Sequence, residues 1–321
     1  MNLPNLMSPI ADDMKALDQV IRGRLNSEVV LIRTIGEYIV GAGGKRMRPA
    51  LLLLVAKALG YQGNHHHTLA GVVEFIHTAT LLHDDVVDES DLRRGRSTAN
   101  AVFGNAASVL VGDYLYSRSF EMMVETNSMR AMAVLSEATT IIAEGEVLQL
   151  LNVHDPDVSQ DRYMQVVRYK TAKLFEAAAQ VGAILAQADV ELEDAAAAFG
   201  RHLGTAFQLI DDVLDYSGDA EALGKNVGDD LREGKPTLPL IRVMQVGTPQ
   251  EQQLIKSAIE TGDADFTKVA AAIANTDAVA YTRQVADAEI NLALSAIQAF
   301  PDSQFKQTLI GFCTAAVQRD H

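Results

Sequence analysis

Thr78-Ala79-Thr80-Leu81-Leu82-His83-Asp84-Asp85-Val86-Val87-Asp88 is the stretch on which the fold turns, and it has a counterpart in Thr205-Ala206-Phe207-Gln208-Leu209-Ile210-Asp211-Asp212-Val213-Leu214-Asp215. In both, apolar residues at helical spacing lead into the pattern DDxxD. Residues four apart on an α-helix lie about 40° apart around the axis and roughly 6 Å along it, so Asp84 with Asp88, and Asp211 with Asp215, each make a two-carboxylate patch. Like charges on adjacent turns weaken a helix, and carboxylates gathered in one cavity repel strongly. Bound cations resolve that conflict, and Mg²⁺, held by one or two carboxylates, waters and substrate phosphate oxygens, suits paired aspartates at a cavity mouth. A solvated helix end explains one such copy as well as a metal does, but explains two copies embedded in apolar helices poorly.

The rest of the chain follows the same helical rhythm. Ile10, Met14, Leu17, Ile21 and Leu25 mark one apolar face, and Val166, Leu174, Ala177 and Val181 another, whereas few segments alternate as strands do. Expected breaks fall at Gly41 to Gly44, Gly60 to Asn64, Ser90 to Thr98, Asn152 to Ser159, Gly218 to Pro239, Gly247 to Pro249 and Phe300 to Ser303. None resembles a long flexible linker. The reading is an all-α fold, a single large helical domain over residues 1–321. The two acid-tipped helices are expected to face each other, with or without an internal duplication behind their likeness.

Composition narrows the function. With 321 residues, 48% of them apolar, the chain can bury a large core, and a net charge of −15 argues against an extended nucleic-acid surface. A single cysteine, Cys313, excludes an intramolecular disulfide. The start Met1-Asn2-Leu3-Pro4-Asn5 lacks the features of a secretory signal, so a cytoplasmic location is expected. Apolar runs such as Ala50 to Ala56 fall short of the ~20 residues that span a bilayer, which leaves at most peripheral membrane contact.

Against this acidic background the cations stand out. Gly41-Ala42-Gly43-Gly44-Lys45-Arg46-Met47-Arg48-Pro49 reads as an anion clamp, with glycines that let backbone amides approach phosphate, arginines that offer planar forks, and Pro49 in the first turn of the next helix. A loop with surface cations is the plainer alternative. Arg93, Arg94 and Arg96 follow the first acid patch, either to bind an anion or to neutralise Asp84 to Asp91. Lys170 falls on an apolar stripe, where it must snorkel or meet an anion. Lys225 and Lys235 flank Asn226-Val227-Gly228-Asp229-Asp230, a lid over phosphate or an ordinary polar loop. His65-His66-His67 is not expected to hold a metal, since three consecutive side chains cannot all converge on one ion and no neighbouring acid completes a zinc set.

Below Asp84, helical counting places Thr80, His77 and Val73. Below Asp211 it places Phe207 and Gly204, with Gln208 to one side. Acids above and small or apolar residues beneath suit a ligand with an ionic head and a hydrocarbon tail.

Taken together, Gly43 to Pro49, the two DDxxD patterns, Arg93-Arg94, Lys170-Thr171, Gln208 and Gly224-Lys225 resemble trans-polyprenyl diphosphate synthases. Phe75 to His83 and Ala143-Glu144-Gly145-Glu146-Val147-Leu148-Gln149-Leu150 are most similar to the bacterial octaprenyl subgroup that makes the ubiquinone side chain. The resemblance implies an isoprenoid-synthase fold of helices around a central cavity, usually a homodimer, using two or three Mg²⁺ ions with the substrate diphosphate. Asp84, Asp88 and Asp211 are implied as principal metal contacts, supported by Asp85, Asp212 and Asp215. Lys45, Arg48, His77 and Arg94 match the isopentenyl diphosphate pocket, and Arg93, Lys170, Thr171, Gln208, Lys225 and Lys235 the allylic diphosphate side. The implied reaction joins isopentenyl units to an allylic diphosphate such as farnesyl diphosphate. Small residues at Ala79 and Thr80 leave the family's product tunnel open and favour a long product, octaprenyl by resemblance. Met123, beside Met122, is the candidate floor. The rivals are a class I terpene cyclase, which normally lacks a second DDxxD, and a noncatalytic partner subunit, which commonly loses aspartates or arginines that are all present here.

Overall fold

The computed structural model describes residues 3–41, 43–93, 95–217 and 228–318. Ala42, Arg94, Gly224 and Lys225 lie outside the described residues. The described chain is almost wholly helical: α1 (Leu3–Leu6), α2 (Ala11–Arg24), α3 (Val30–Gly41), α4 (Met47–Ala58), α5 (His65–Val87), α6 (Ala99–Phe103), α7 (Asn105–Glu125), α8 (Met129–Asn152), α9 (Gln160–Val166), α10 (Lys173–Leu185), α11 (Val190–Ser217), α12 (Asp229–Arg232), α13 (Leu238–Val246), α14 (Pro249–Thr261), α15 (Phe266–Asn275), α16 (Ala278–Ala296) and α17 (Gln304–Val317).

Helix starts follow local chemistry. The Ser128 and Ser159 hydroxyls accept hydrogen bonds from the Ala131 and Arg162 amides, and Thr248 with Glu251 closes a reciprocal capping box where the Gly247 to Pro249 break was expected. The other expected breaks also separate helices, with two refinements. Ser90 to Thr98 holds a two-stranded antiparallel hairpin, Leu92–Arg93 (β1) against Arg96–Ser97 (β2), turned by Gly95 at φ 71°. Within the expected Gly218 to Pro239 break, α12 forms and α13 begins at Leu238. Pro239 is the second residue of α13, in the first turn, where its missing N–H costs no hydrogen bond.

Packing explains where the acid-tipped helices end up. Helix α4 is buried almost all round, as expected of a helix through the centre of a large core. Helix α10 packs on α4, α5 and α11, and so touches both acidic helices. Close approach of α11 needs Gly204: a side chain there would place its Cβ 2.8 Å from Ala172 Cα. Phe175 and Phe207 pack nearby with ring centroids 5.5 Å apart. A smaller apolar cluster, with Tyr216, Leu231, Leu240, Ile255 and Ile273, lies among α11 to α15. Burial of each large aliphatic side chain in these cores contributes about 1.5–3 kcal/mol before entropy is subtracted. No helix among the described residues is long and apolar enough to cross a membrane.

Candidate active site

One cavity of about 240 Å³ takes Asp84 and Asp88 from the first DDxxD cluster and Asp212 from the second, and is lined also by Arg93, Lys170, Thr171, Gln208 and Lys235, with Asp229, Asp230 and Glu233 at the α12 side. The expectation that the two acidic helices face each other is met as a shared cavity rather than as a simple helix pair. Lys170 and Thr171 reach it because α9 does not run on as a regular helix: residues Val167–Ala172 form a π-helical turn, a wide turn often found at functional sites. Regular helical counting across this segment misses that turn. Gly145 makes room for it, since a Cβ there would stand 2.6 Å from the Lys170 amide nitrogen.

Each cluster divides into carboxylates that face the cavity and carboxylates that hold something else. Asp85 is buried, accepts a hydrogen bond from Arg93 Nε at 2.8 Å and forms an ion pair with the Arg93 terminal nitrogen at 2.7 Å. Asp212 is buried, accepts from Gln208 Nε2 at 2.8 Å and from the Tyr163 hydroxyl, and its carboxyl is pushed well above the usual range by burial and by the charge of Asp230. Gln208 in turn accepts from the Thr171 hydroxyl at 2.9 Å. Asp215 fixes the entry to α12 by accepting the Gly228 amide on its carbonyl and the Asp230 amide on its carboxylate. Asp211 is half-buried, and it is Asp212 rather than Asp211 that lines the cavity.

Lysines already occupy places suited to cations. Lys170 Nζ donates to Glu146 Oε2 at 2.6 Å and lies 3.5 Å from Asp84 Oδ2, so this lysine does meet anions. Lys235 Nζ bridges Asp88 Oδ2 at 2.9 Å and Glu233 at 2.5 Å. Burial raises the Asp84 carboxyl above its ordinary range, with Asp88 adding to the effect and Lys170 opposing it. Glu146 is raised to about 7, again by burial first, although Lys170 stands beside it. Carboxyls lifted this way are short of positive charge.

The basic loop forms a second, adjoining pocket lined by Gly43, Arg46, Glu74, His77, Arg93 and Arg96. Arg46, in left-handed backbone at φ 49°, pairs with the buried carboxylate of Glu74 at 2.5 Å. Arg48 Nη1 sits 3.1 Å from His77 Nε2 with its guanidinium 4.4 Å above the Phe175 ring, while Lys45 is exposed. Ala79 and Met123 are fully enclosed and Thr80 is half-buried, its hydroxyl donating to the His77 carbonyl at 2.8 Å.

Sequence reading missed Glu146, Tyr163 and Glu74. Glu146 lies inside the quoted segment Ala143 to Leu150 and Glu74 one helical turn from His77, but nothing in their spacing marks which carboxylate meets a cation. The His65-His66-His67 reading holds in that the three rings do not all converge, His65 staying outside the cluster, and needs correction in that an acid does join the other two. His66 Nε2 and His67 Nε2 do converge, 3.1 and 2.9 Å from one oxygen of Asp13, an acid delivered by α2 from far away in the sequence.

An all-α assembly with carboxylates and cations gathered at one cavity defines a class of synthase that works on diphosphate esters. Comparison with known proteins sharpens this: the Polyprenyl synthetase family model matches residues 29–276. Octaprenyl diphosphate synthase of Escherichia coli strain K12 is 54% identical over 322 residues, covering 100% of both chains. An all-trans-nonaprenyl-diphosphate synthase (geranyl-diphosphate specific) of Rhodobacter capsulatus is 45% identical over 98% of this chain and 97% of its own. The crystal structure of a polyprenyl synthase from Caulobacter crescentus CB15, complexed with calcium and isoprenyl diphosphate, superposes with a TM-score of 0.96 at 44% identity, covering 100% of this chain and 98% of that one. The chain belongs to the polyprenyl synthetase family, and it is a prenyltransferase.

Proposed function

We propose that the chain, acting as one catalytic domain, condenses isopentenyl diphosphate units onto an allylic diphosphate, farnesyl diphosphate by preference, to make a long all-trans polyprenyl diphosphate, octaprenyl, for a quinone side chain. The observation that carries this reading is the juxtaposition of Asp84 and Asp88 with Lys170 and Lys235 in one cavity beside a separate basic pocket. A reaction that joins two diphosphates needs two such anion sites.

The donor set fits a hard divalent ion. Among the described residues the cavity offers carboxylate oxygens from α5, α11 and α12 and no sulfur, and Mg²⁺ favours oxygen donors completed by water and phosphate. Asp84 and Asp88 on the cavity wall would hold it, with Asp211, half-buried beside the cavity-lining Asp212, as the third carboxylate. When bound, such ions stabilise negative charge as it develops on the departing diphosphate.

The chain's own residues supply the rest. Arg93, held by Asp85, with Lys170 and Lys235, faces the allylic head group, and Thr171 and Gln208, linked to Asp212, line the same wall, a preorganised electrostatic frame that strengthens as charge separates. Arg48, His77 and Lys45, with Arg94, take the isopentenyl diphosphate. Ionisation gives an allylic cation, the isopentenyl double bond attacks it, and the proton then lost passes to the released pyrophosphate. Glu233 and Lys235, following α12, help exclude water that would quench the cation. The growing chain extends past Ala79 and Thr80 toward Met123.

We also infer a homodimer. Leu110 on α7 and Val147, Leu150 and Leu151 on α8 are 57–68% exposed, an apolar strip that a second copy would cover. The decisive experiment incubates purified protein with Mg²⁺, labelled isopentenyl diphosphate and farnesyl diphosphate, then measures product length by mass. Octaprenyl product is expected; a cyclised hydrocarbon or no condensation would refute the proposal.

A further inference from the structure

The N-terminal end of α5 carries a cluster that the prenyl transfer does not use. His66 Nε2 lies 3.1 Å and His67 Nε2 2.9 Å from Asp13 Oδ1, and all three donor atoms lie within 4.8 Å of one another. At about 1.5 Å per residue, His66 is roughly 27 Å along the helix from Asp84, so this cluster is remote from the diphosphate site. The imidazoles are tilted together at 3.9 Å between centroids, which keeps their Nε2 atoms side by side. Lys57 Nζ stands 3.3 Å from the same Asp13 oxygen.

We propose that Asp13 Oδ1, His66 Nε2 and His67 Nε2 form a second metal site, selective for a borderline transition ion such as Zn²⁺ over Mg²⁺, that ties α2 to the first turn of α5. Two ligands at 2.0–2.1 Å from a tetrahedral ion sit about 3.3 Å apart, so the present oxygen–nitrogen spacings need to open by only a few tenths of an ångström. The donor types match: imidazole nitrogen and one carboxylate suit Zn²⁺, Co²⁺ or Ni²⁺, whereas Mg²⁺ demands oxygen and an octahedral shell. Three protein ligands leave a fourth position for water, and the site can be reached from solvent, with the side chains of Asp13 and His67 14% and 21% exposed.

The resting state is already disposed to accept a cation. Lys57 holds a positive charge against Asp13 on a flexible stem that is 30% exposed, so an incoming ion displaces it at little cost. Burial, the largest cause, lowers the pKa of His66 and so favours the neutral imidazole that a metal takes. Asp13 stays below the usual carboxylate range despite its desolvation, through hydrogen bonds from His67 and His66 and the charge of Lys57. His66 Nδ1 has no hydrogen-bond partner among the described residues, so moving the ring proton from Nε2 to Nδ1 breaks no bond there.

The proposal stands apart from the prenyl-transfer reading and is tested separately. Chelator-stripped full-length protein is titrated with Zn²⁺ by calorimetry in millimolar Mg²⁺, which competes for the aspartate clusters. One Zn²⁺ per chain is expected in the wild type and in His65→Ala. In His67→Ala and Asp13→Asn the affinity should fall at least tenfold, with prenyl turnover of His67→Ala unchanged. Co²⁺ substitution should give a visible absorption band that His67→Ala abolishes. Zn²⁺ should raise the melting temperature of the wild type but not of His67→Ala. Equal binding in wild type and His67→Ala, loss in His65→Ala equal to that in His67→Ala, or no Zn²⁺ bound in the presence of Mg²⁺ overturns it.

Discussion

Lys235 Nζ lies 2.9 Å from Asp88 Oδ2, so a residue beyond the second acid cluster is tethered to the first. Burial works against the charge on this lysine, but Asp88 and Glu233 outweigh it and raise its pKa, so the ammonium does not titrate at any ordinary assay pH. Lys235→Met should therefore lower kcat/KM for the allylic diphosphate by about 10²-fold, the scale of losing one preorganised electrostatic donor, at every pH between about 6 and 9. Lys235→Arg should recover part of that loss. Steady-state kinetics within twofold of wild type for Lys235→Met would remove Lys235 from the head-group site.

The aspartates divide differently. Asp84→Ala and Asp211→Ala should each reduce turnover by about 10³-fold or more, because metal-supported charge stabilisation is worth several kcal/mol, while circular dichroism stays helical. Asp85→Ala should instead act through Arg93, whose hydrogen bond and ion pair with Asp85 it removes, and should show chiefly as a higher KM for the allylic substrate. Near-normal turnover in Asp84→Ala would sink the metal assignment.

Much of this arrangement is legible before any coordinates. The 3.6-residue period, the DDxxD pairs and the glycine-bounded cationic loop lead to helices, a shared acidic cavity and an adjoining basic pocket, because all three depend on local spacing. Other features depend on neighbours far away in the chain. Asp13 meets His66 and His67 only because α2 packs on α5, and Glu146 meets Lys170 only because α8 runs beside the π-helical turn. That turn has no signal in its own residues: it is permitted by Gly145, on another helix. Likewise nothing in DDxxD distinguishes Asp212, buried against Tyr163, from Asp211.

Product length gives a prediction on the hydrocarbon side. Thr80 is half-buried one turn below Asp84, on the path proposed for the growing chain. Thr80→Tyr should shorten the product by several isoprene units with the first condensation still fast, read by mass analysis of the dephosphorylated alcohols. An unchanged product would show that the chain takes another path.

Glu146 sets a pH dependence of stability. Its carboxyl is raised from 4.5 to about 7, first by burial and then by Asp84 and Asp88, against the pull of Lys170. Between those values the folded chain holds a proton that the unfolded chain has released, so this group's contribution is fully present below pH 4.5 and is lost as pH rises through about 7. In chelator, the melting temperature of the wild type should fall between about pH 5 and 8, and Glu146→Gln should flatten that part of the curve. Identical slopes for the two proteins would mean that Glu146 is ionised in the fold throughout.

Gly145 couples packing to catalysis. An alanine there would bring its Cβ within 2.6 Å of the Lys170 amide and 2.9 Å of the Tyr169 carbonyl carbon, contacts with backbone that no rotamer change relieves. The π-helical turn must then move away from α8, and overpacking of this kind costs about 1–3 kcal/mol. Because Lys170 and Thr171 ride on that turn, Gly145→Ala should both lower the urea midpoint and raise KM for the allylic diphosphate, more than tenfold, with KM for isopentenyl diphosphate little changed. Glu146→Gln removes the carboxylate charge facing Lys170 without touching the backbone, so it should raise KM without the loss of urea resistance. A Gly145→Ala protein that is destabilised yet binds the allylic substrate normally would separate the turn's packing from its role in presenting Lys170.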